Sequence, residues 1–143
     1  MITLPNEIAA ACAPLFEAVP FETAMSRLVG SAPHQTEIVQ QILQAPALAN
    51  RPELAAALWL YVDDLDRSHT ISQGIDGSTG AYWHGIMHRR EGDFGNSHYW
   101  MRQAAAHPLR RAHPELDPDA LIDAVAAARG SDTPDLVARQ REE

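Results

Sequence analysis

Hydrophobic residues recur along most of this chain at the three- and four-residue spacing of one face of an α-helix. The alternation typical of a β-strand does not occur in any segment. We therefore expect an all-α fold, a single domain over residues 1–143 with about seven or eight helices in a bundle. The clearest periodic positions are Ile38, Ile42, Leu43, Leu54, Leu58, Tyr61, Val62 and Leu65.

Proline, glycine and capping residues set the expected helix boundaries. Asn50, Ser78 or Thr79, Asn96 or Ser97, Asp117, and Asp132 or Thr133 are the candidate caps. Three glycines between Gln73 and Gly80 predict a loop. The predicted helices are Asn6–Ala18, Phe21–Val29, a third opened by Ser31 and Pro33, Pro52 to about Ile71, Thr79–Glu91, Ser97–Ala106, Pro118 to Gly130, and a short last helix after Pro134.

Residues 59–113 differ in composition from the rest of the chain. They hold six of the seven histidines and seven of the nine aromatic residues, whereas the flanks are mostly Ala, Leu, Pro and Glu. Polar and charged side chains cost free energy to bury unless they are paired or hydrogen-bonded. A stable helical core does not need such a cluster, so we expect the functional segment to lie within residues 59–107.

Charge and composition exclude several classes of function. The net charge of −8 disfavours a nucleic-acid partner and an anionic membrane surface. No apolar run is long enough to span a bilayer, and the first residues lack the basic start of a signal peptide, so we expect a cytoplasmic protein. All eleven basic residues are Arg, which together with the high Ala content indicates a GC-rich bacterial genome. The single Cys12 excludes intramolecular disulfides and thiolate zinc clusters.

Histidine spacing in the central segment predicts a candidate catalytic or metal site. His84, His88 and Glu91 lie at positions i, i+4 and i+7, which on a helix places them within about 60° of one another. Two histidines one turn apart can bind one divalent metal, with Zn, Fe and Mn as candidates and Glu91 as a third ligand. His69, with these three, is the candidate for acid–base chemistry. Alternatively, His84 and His88 face solvent.

The candidate ligand-binding residues are Asp66, Trp83, Arg89, Arg90, Asn96 and Trp100. Arg89 and Arg90 could hold an anion in two-point geometry, and Asp66 could orient His69. Six arginines and six acidic residues occur between positions 61 and 113, so the charges could also pair internally. We favour internal pairing for at least two of the arginines, and capping over ligand contact for Asn96.

Two motifs carry a resemblance to a known family. The runs SHTISQ (residues 68–73) and YWHGIMHRREGDFGNSHYW (residues 82–100) resemble an uncharacterised family of small bacterial and fungal hypothetical proteins. That family shares the pattern SHxISQ followed by TGxYWHxIMHRREGDFxNxxYW. The resemblance covers about one third of the chain. It implies that the segment acts as one unit, and it implies no particular activity.

These observations leave different classes of function open. The first is a small-molecule-binding protein or enzyme, with a pocket for a small polar or anionic molecule between the Pro52–Ile71, Thr79–Glu91 and Ser97–Ala106 helices. The second is a non-catalytic protein-interaction module in which the His, Arg and Asp residues form a structural network. A haem protein with a histidine axial ligand is a third. Bound metal or a ligand-sized cavity would favour the first, and a broad exposed aromatic patch would favour the second.

Overall fold

The computed structural model describes residues 3–143, and within that range the chain is all-helical, with nine α-helices and no strand. The predicted fold class is confirmed. The helices are α1 (Asn6–Ala18), α2 (Thr36–Ile42), α3 (Pro52–Tyr61), α4 (Leu65–Ser72), α5 (Ser78–Glu91), α6 (Phe94–Gln103), α7 (Pro108–Ala112), α8 (Pro118–Ala128) and α9 (Pro134–Glu142). A short 3₁₀ helix, Pro114–Leu116, connects α7 to α8.

Helix α5 lies at the centre of the fold. One buried cluster joins α1, α2 and α3, a second joins α3, α5 and α6, and a third joins α8 and α9 to Leu28. Ten of the fourteen α5 residues are buried, including His84, His88, Arg89 and Arg90. Because charged and polar side chains are costly to bury without partners, the contacts of these four residues decide what the helix does.

The prediction of a helix over Phe21–Val29 is wrong. These residues form turns, and Met25 has a left-handed backbone with φ of 49°. The Thr23 and Ala24 N–H groups bond to the nearby Pro20 carbonyl, and other backbone groups of the segment bond to distant parts of the chain. The Gln140 side-chain amide donates to the carbonyls of Met25 and Arg27, and Arg141 donates to that of Ala24. Tertiary hydrogen bonds thus replace those of a local helix.

The predicted helix from Pro52 to Ile71 is broken into α3 and α4 at residues 62–64. Asp63 has a φ of 62°, which ends α3 in the left-handed conformation usually adopted there by glycine. The Asp64 carboxylate then accepts a hydrogen bond from the Arg67 backbone N–H and caps α4. This elbow turns α4 away from the α3 axis, and α4 packs against α5.

Other boundaries follow from capping side chains. Asp117 and Thr133 cap α8 and α9 as predicted. Helix α6 starts at Phe94, before the predicted Asn96 or Ser97, because Asp93 is its cap. Asn50 caps no helix, and α7 was not predicted. No helix within residues 3–143 combines the length and apolar character required to cross a bilayer.

Candidate metal centre

Three histidines from two helices converge on one point. His69 on α4 and His84 and His88 on α5 each offer a ring nitrogen, and the three nitrogens lie within 4.8 Å of one another. The ring centroids are 4.9 Å apart for His69 and His84, 5.4 Å for His69 and His88, and 5.8 Å for His84 and His88. The i, i+4 spacing on α5 supplies two rings, and the elbow before α4 supplies the third.

Helix α6 closes one side of the cluster. The Trp100 ring stacks on His84 with centroids 4.2 Å apart and planes at 11°. Gly85 permits this approach, because a Cβ there would come within 2.9 Å of the Met101 side chain. The Ser97 hydroxyl also donates a hydrogen bond to the Gly85 carbonyl. As a result His84 is only 4% exposed, while His69 stays half-buried and open to solvent.

Two histidines of the cluster also have a partner outside it. His88 Nδ1 lies 3.0 Å from a Glu91 carboxylate oxygen, and His69 Nε2 lies 3.0 Å from the Gln73 side-chain amide. Such outer partners fix the orientation and tautomer of histidines that bind metals.

The surroundings keep His84 neutral. Burial, followed by the neighbouring rings of His69 and His88, lowers the pKa of His84 to about 4, although the Gly80 backbone acts in the opposite direction. No carboxylate belongs to the group of three converging nitrogens. The neutral imidazole is the form that binds metal ions, so the site does not have to lose a proton from His84 near pH 7.

Glu91 occupies a different place from the one expected. We expected it as a metal ligand beside His84 and His88, but its carboxylate contacts His88 Nδ1 and the third converging nitrogen belongs to His69. A carboxylate at this distance from a ring N–H raises the basicity of the other ring nitrogen. Glu91 is thus placed to orient and tune His88.

The expected role of Arg89 and Arg90 in binding a ligand needs correction, because both side chains are almost fully buried and paired within the protein. Arg89 bonds to the Glu143 carboxylate and the Gln140 side-chain oxygen. Arg90 bonds to the Asp63 carboxylate and the Leu60 carbonyl. The alternative of internal pairing describes both arginines.

Three further candidates lie outside the cluster. Asp66 is exposed, and the ring of His69 bonds to Gln73 where Asp66 was expected. The Asn96 side chain donates to Asp93, the cap of α6. Trp83 packs into the second core cluster. Of the candidate ligand-binding residues, only Trp100 contacts a histidine of the cluster. Sequence reasoning gave no role to Gln73, although its i+4 position relative to His69 was a usable signal.

The cluster does not lie in the clefts that the fold contains elsewhere. One, of about 160 Å³, is lined by residues that include Leu54, Tyr82, Trp83 and Ile86. Another, of about 240 Å³, is lined by residues that include Arg110 and His113. His69, His84 and His88 line neither of these two clefts. The expected convergence of α4, α5 and α6 residues is therefore a compact side-chain cluster. The first cleft is lined in part by residues of α3 and α5, including the candidate Trp83, and it does not include the three histidines.

Comparisons of this chain with protein-family models, curated proteins and solved structures gave no match. The functional interpretation therefore depends on the chemistry of the histidine cluster.

Proposed function

We propose that the protein binds one divalent transition-metal ion through His69, His84 and His88 and uses its open coordination position to activate water in the hydrolysis or hydration of a small polar or anionic molecule. The observation that carries the proposal is the convergence of three imidazole nitrogens within 4.8 Å. Three protein ligands are typical of catalytic metal sites, whereas structural sites use four.

The ligand set favours particular metals. Three imidazoles, with no thiolate and no carboxylate in the converging group, suit Zn²⁺, Co²⁺, Ni²⁺, Cu²⁺ or Fe²⁺ better than Mg²⁺, Ca²⁺ or Mn²⁺. Nitrogen ligands of a tetrahedral zinc ion are about 3.4 Å apart, as follows from a bond length near 2.05 Å. Small side-chain rotations would bring the three rings to that separation. Zinc is therefore the first metal to test.

The surroundings of the cluster also support a catalytic site. The stacked Trp100 ring and the buried face of α5 exclude water from one side, whereas His69 is reached from solvent. A metal ion with three histidine ligands lowers the pKa of a bound water to about 7. Glu91, through its contact with His88, would raise the electron donation of one ligand to that metal.

A second candidate function uses the same residues without metal. The 3.0 Å contact between His88 Nδ1 and the Glu91 carboxylate is the geometry of a histidine general base oriented by an acid. The protein-interaction alternative has less support, because the exposed large hydrophobic residues of the described range are only Leu4, Phe21 and Tyr99, and they come from separate parts of the chain. No broad aromatic patch is visible among residues 3–143.

Zinc binding by the untagged protein tests the proposal. We expect one equivalent of zinc in a competition titration, and loss of stoichiometric binding in His84→Ala, whereas His113→Ala should bind as the wild type does. His113 is a suitable control because it is a histidine that lies outside the cluster and contacts Glu115 as His88 contacts Glu91. Indistinguishable titrations of His84→Ala and wild type would overturn the metal site.

Hydrolysis of an activated ester then distinguishes the two candidate functions. The metal mechanism predicts p-nitrophenyl acetate hydrolysis that is abolished by chelation and restored by zinc. Hydrolysis that survives chelation but is lost in His88→Gln would support the His88–Glu91 pair. Absence of hydrolysis with and without zinc would argue against both mechanisms for this reaction class.

A further inference from the structure

The elbow between α3 and α4 is built on an unusual residue. Asp63 is buried at 8% exposure and has a left-handed φ of 62°, at a position where helices usually end with glycine. The Asp63 N–H bonds to the Leu60 carbonyl, and the Asp64 N–H bonds to the Trp59 carbonyl. A non-glycine residue in this conformation is strained and persists only where its surroundings hold it.

Arg90, on α5, stabilises Asp63 in this left-handed conformation. One guanidinium nitrogen donates to the Leu60 carbonyl at 2.7 Å, and another pairs with the Asp63 carboxylate. The second carboxylate oxygen of Asp63 lies 3.2 Å from His34 Nε2. The rigid fork of a single arginine therefore fixes both the last turn of α3 and the elbow that follows it.

This contact connects the two helices that supply the histidines. Arg90 lies two residues after His88 on α5, and Asp63 lies six residues before His69, just ahead of α4. The direction in which α4 leaves the elbow decides where His69 is placed. A side chain of the helix that carries two of the histidines thus sets the position of the third.

We infer that Asp63 and Arg90 are positioning residues for the histidine cluster, an inference that deepens the metal site proposed above. Buried ion pairs often contribute little net stability compared with apolar side chains of similar volume, so geometry is the better account of this pair. A coordination site requires its ligands to be held within about half an ångström, which a two-contact arginine can provide.

The neighbouring arginine offers a matched control. Arg89 is equally buried and pairs with Glu143, but it ties α5 to the C-terminal residues after α9, which contain no histidine of the cluster. The double variant Asp63→Asn/Arg90→Met removes the positioning pair without leaving a buried charge unpaired, and Asn tolerates the left-handed backbone. Arg89→Met/Glu143→Gln removes the control pair in the same manner.

Zinc affinity and the apo-state nuclear Overhauser effects between ring protons of His69 and His84 are measured in both double variants. We expect Asp63→Asn/Arg90→Met to bind zinc at least 10-fold more weakly and to lose these effects. The control should keep both, with affinity within about twofold of the wild type. Equal changes in the two variants, or unchanged zinc affinity and ring contacts in Asp63→Asn/Arg90→Met, would overturn the inference.

A conservative variant covers the case in which the double variant does not fold. Arg90→Lys keeps the charge but cannot reach Leu60 and Asp63 with two rigid contacts, so we expect weaker zinc binding and fewer ring contacts with thermal stability less affected. Wild-type affinity in Arg90→Lys would count against the inference. If the wild-type protein binds no zinc, the metal site is wrong, and the ring contacts alone then decide the positioning role.

Discussion

The two arginines at the end of α5, Arg89 and Arg90, and the two histidines just before them, His84 and His88, are close in sequence but have different kinds of contacts. Arg89 and Arg90 are buried, and each is matched by a carboxylate. His84 and His88 are also buried, but their rings lie near each other and near His69, and a Glu91 carboxylate oxygen contacts His88 at the edge of the cluster. The arginine pairs join helices, whereas each of the three histidines brings a ring nitrogen within 4.8 Å of the other two.

The difference teaches how to separate scaffold from site on a buried helix. The charges of Arg89 and Arg90 are each matched by a carboxylate within the fold, although within residues 3–143 the Nε of neither arginine has a hydrogen-bond partner. The three converging imidazole nitrogens have no carboxylate among them, and imidazole nitrogens are metal ligands. By this criterion the histidines form the site and the arginines support it.

The largest effect should come from breaking one arginine pair. Arg89→Met leaves the Glu143 carboxylate buried without its cation, which should destabilise the protein by about 3–5 kcal/mol. His88→Gln, in the same turn of α5, should lower the stability of the metal-free protein by less than about 1 kcal/mol. Urea unfolding in the presence of a chelator measures both. Similar losses in the two variants would remove the distinction between scaffold and site.

The next effect concerns the start of α5. A Cβ at Gly80 would collide with the Ile75 backbone carbonyl, so Gly80→Ala should cost about 2–3 kcal/mol. Because Gly80 lies one turn before His84 on α5, a displacement there should also weaken zinc binding. A Cβ at Gly95 on α6 would meet no atom within 4 Å, so Gly95→Ala is the control and should change stability little. A fully stable Gly80→Ala would contradict the close packing.

A smaller effect is expected from the outer partner of His88. Glu91→Gln should weaken zinc binding about tenfold while leaving apo stability unchanged, because the carboxylate acts on the ligand and is partly exposed. Glu115→Gln alters the same kind of 3.0 Å contact, to His113, away from the cluster and should have no effect on zinc. Equal zinc affinities in Glu91→Gln and wild type would show that Glu91 does not strengthen zinc binding by His88.

The smallest effect is a pH dependence outside the cluster. The Asp119 carboxylate raises the pKa of His98 above 6.5; burial lowers this pKa, and the Asp123 carboxylate raises it further. The contacts of His98 with Asp119 and Asp123 join α6 to α8. A raised pKa gives stabilisation that is complete below about 6.5 and is lost as pH rises through the folded-state pKa. Wild type should therefore lose more stability than His98→Asn between pH 6 and pH 8. A parallel decline in both would contradict the contribution of His98.

Local signals predicted the parts of the fold that local interactions determine. The bounds of α1 match the prediction, and Asp117 and Thr133 cap their helices as expected. The prediction failed where distant residues decide the backbone. No glycine or proline marks the break at Asp63, and its left-handed conformation is held by Arg90, 27 positions away.

Only part of the candidate site could be predicted, because local sequence spacing determines only part of it. Helical spacing was enough to place His84 and His88 on one face. The position of His69 beside His84 and His88 depends on the elbow between α3 and α4. Arg89 is not free to bind a ligand because it pairs with Glu143, 54 positions away. Gln73 in place of Asp66 as the partner of His69 is a matter of side-chain direction at the end of α4.

X-ray absorption at the zinc edge of stoichiometrically loaded protein tests the central claim most directly. The histidine cluster predicts three imidazole nitrogens and an oxygen ligand at about 2.0 Å, with one imidazole fewer in His69→Ala. A first shell containing sulfur, a shell with fewer than two imidazoles, or a spectrum unchanged in His69→Ala would contradict a metal centre formed by His69, His84 and His88.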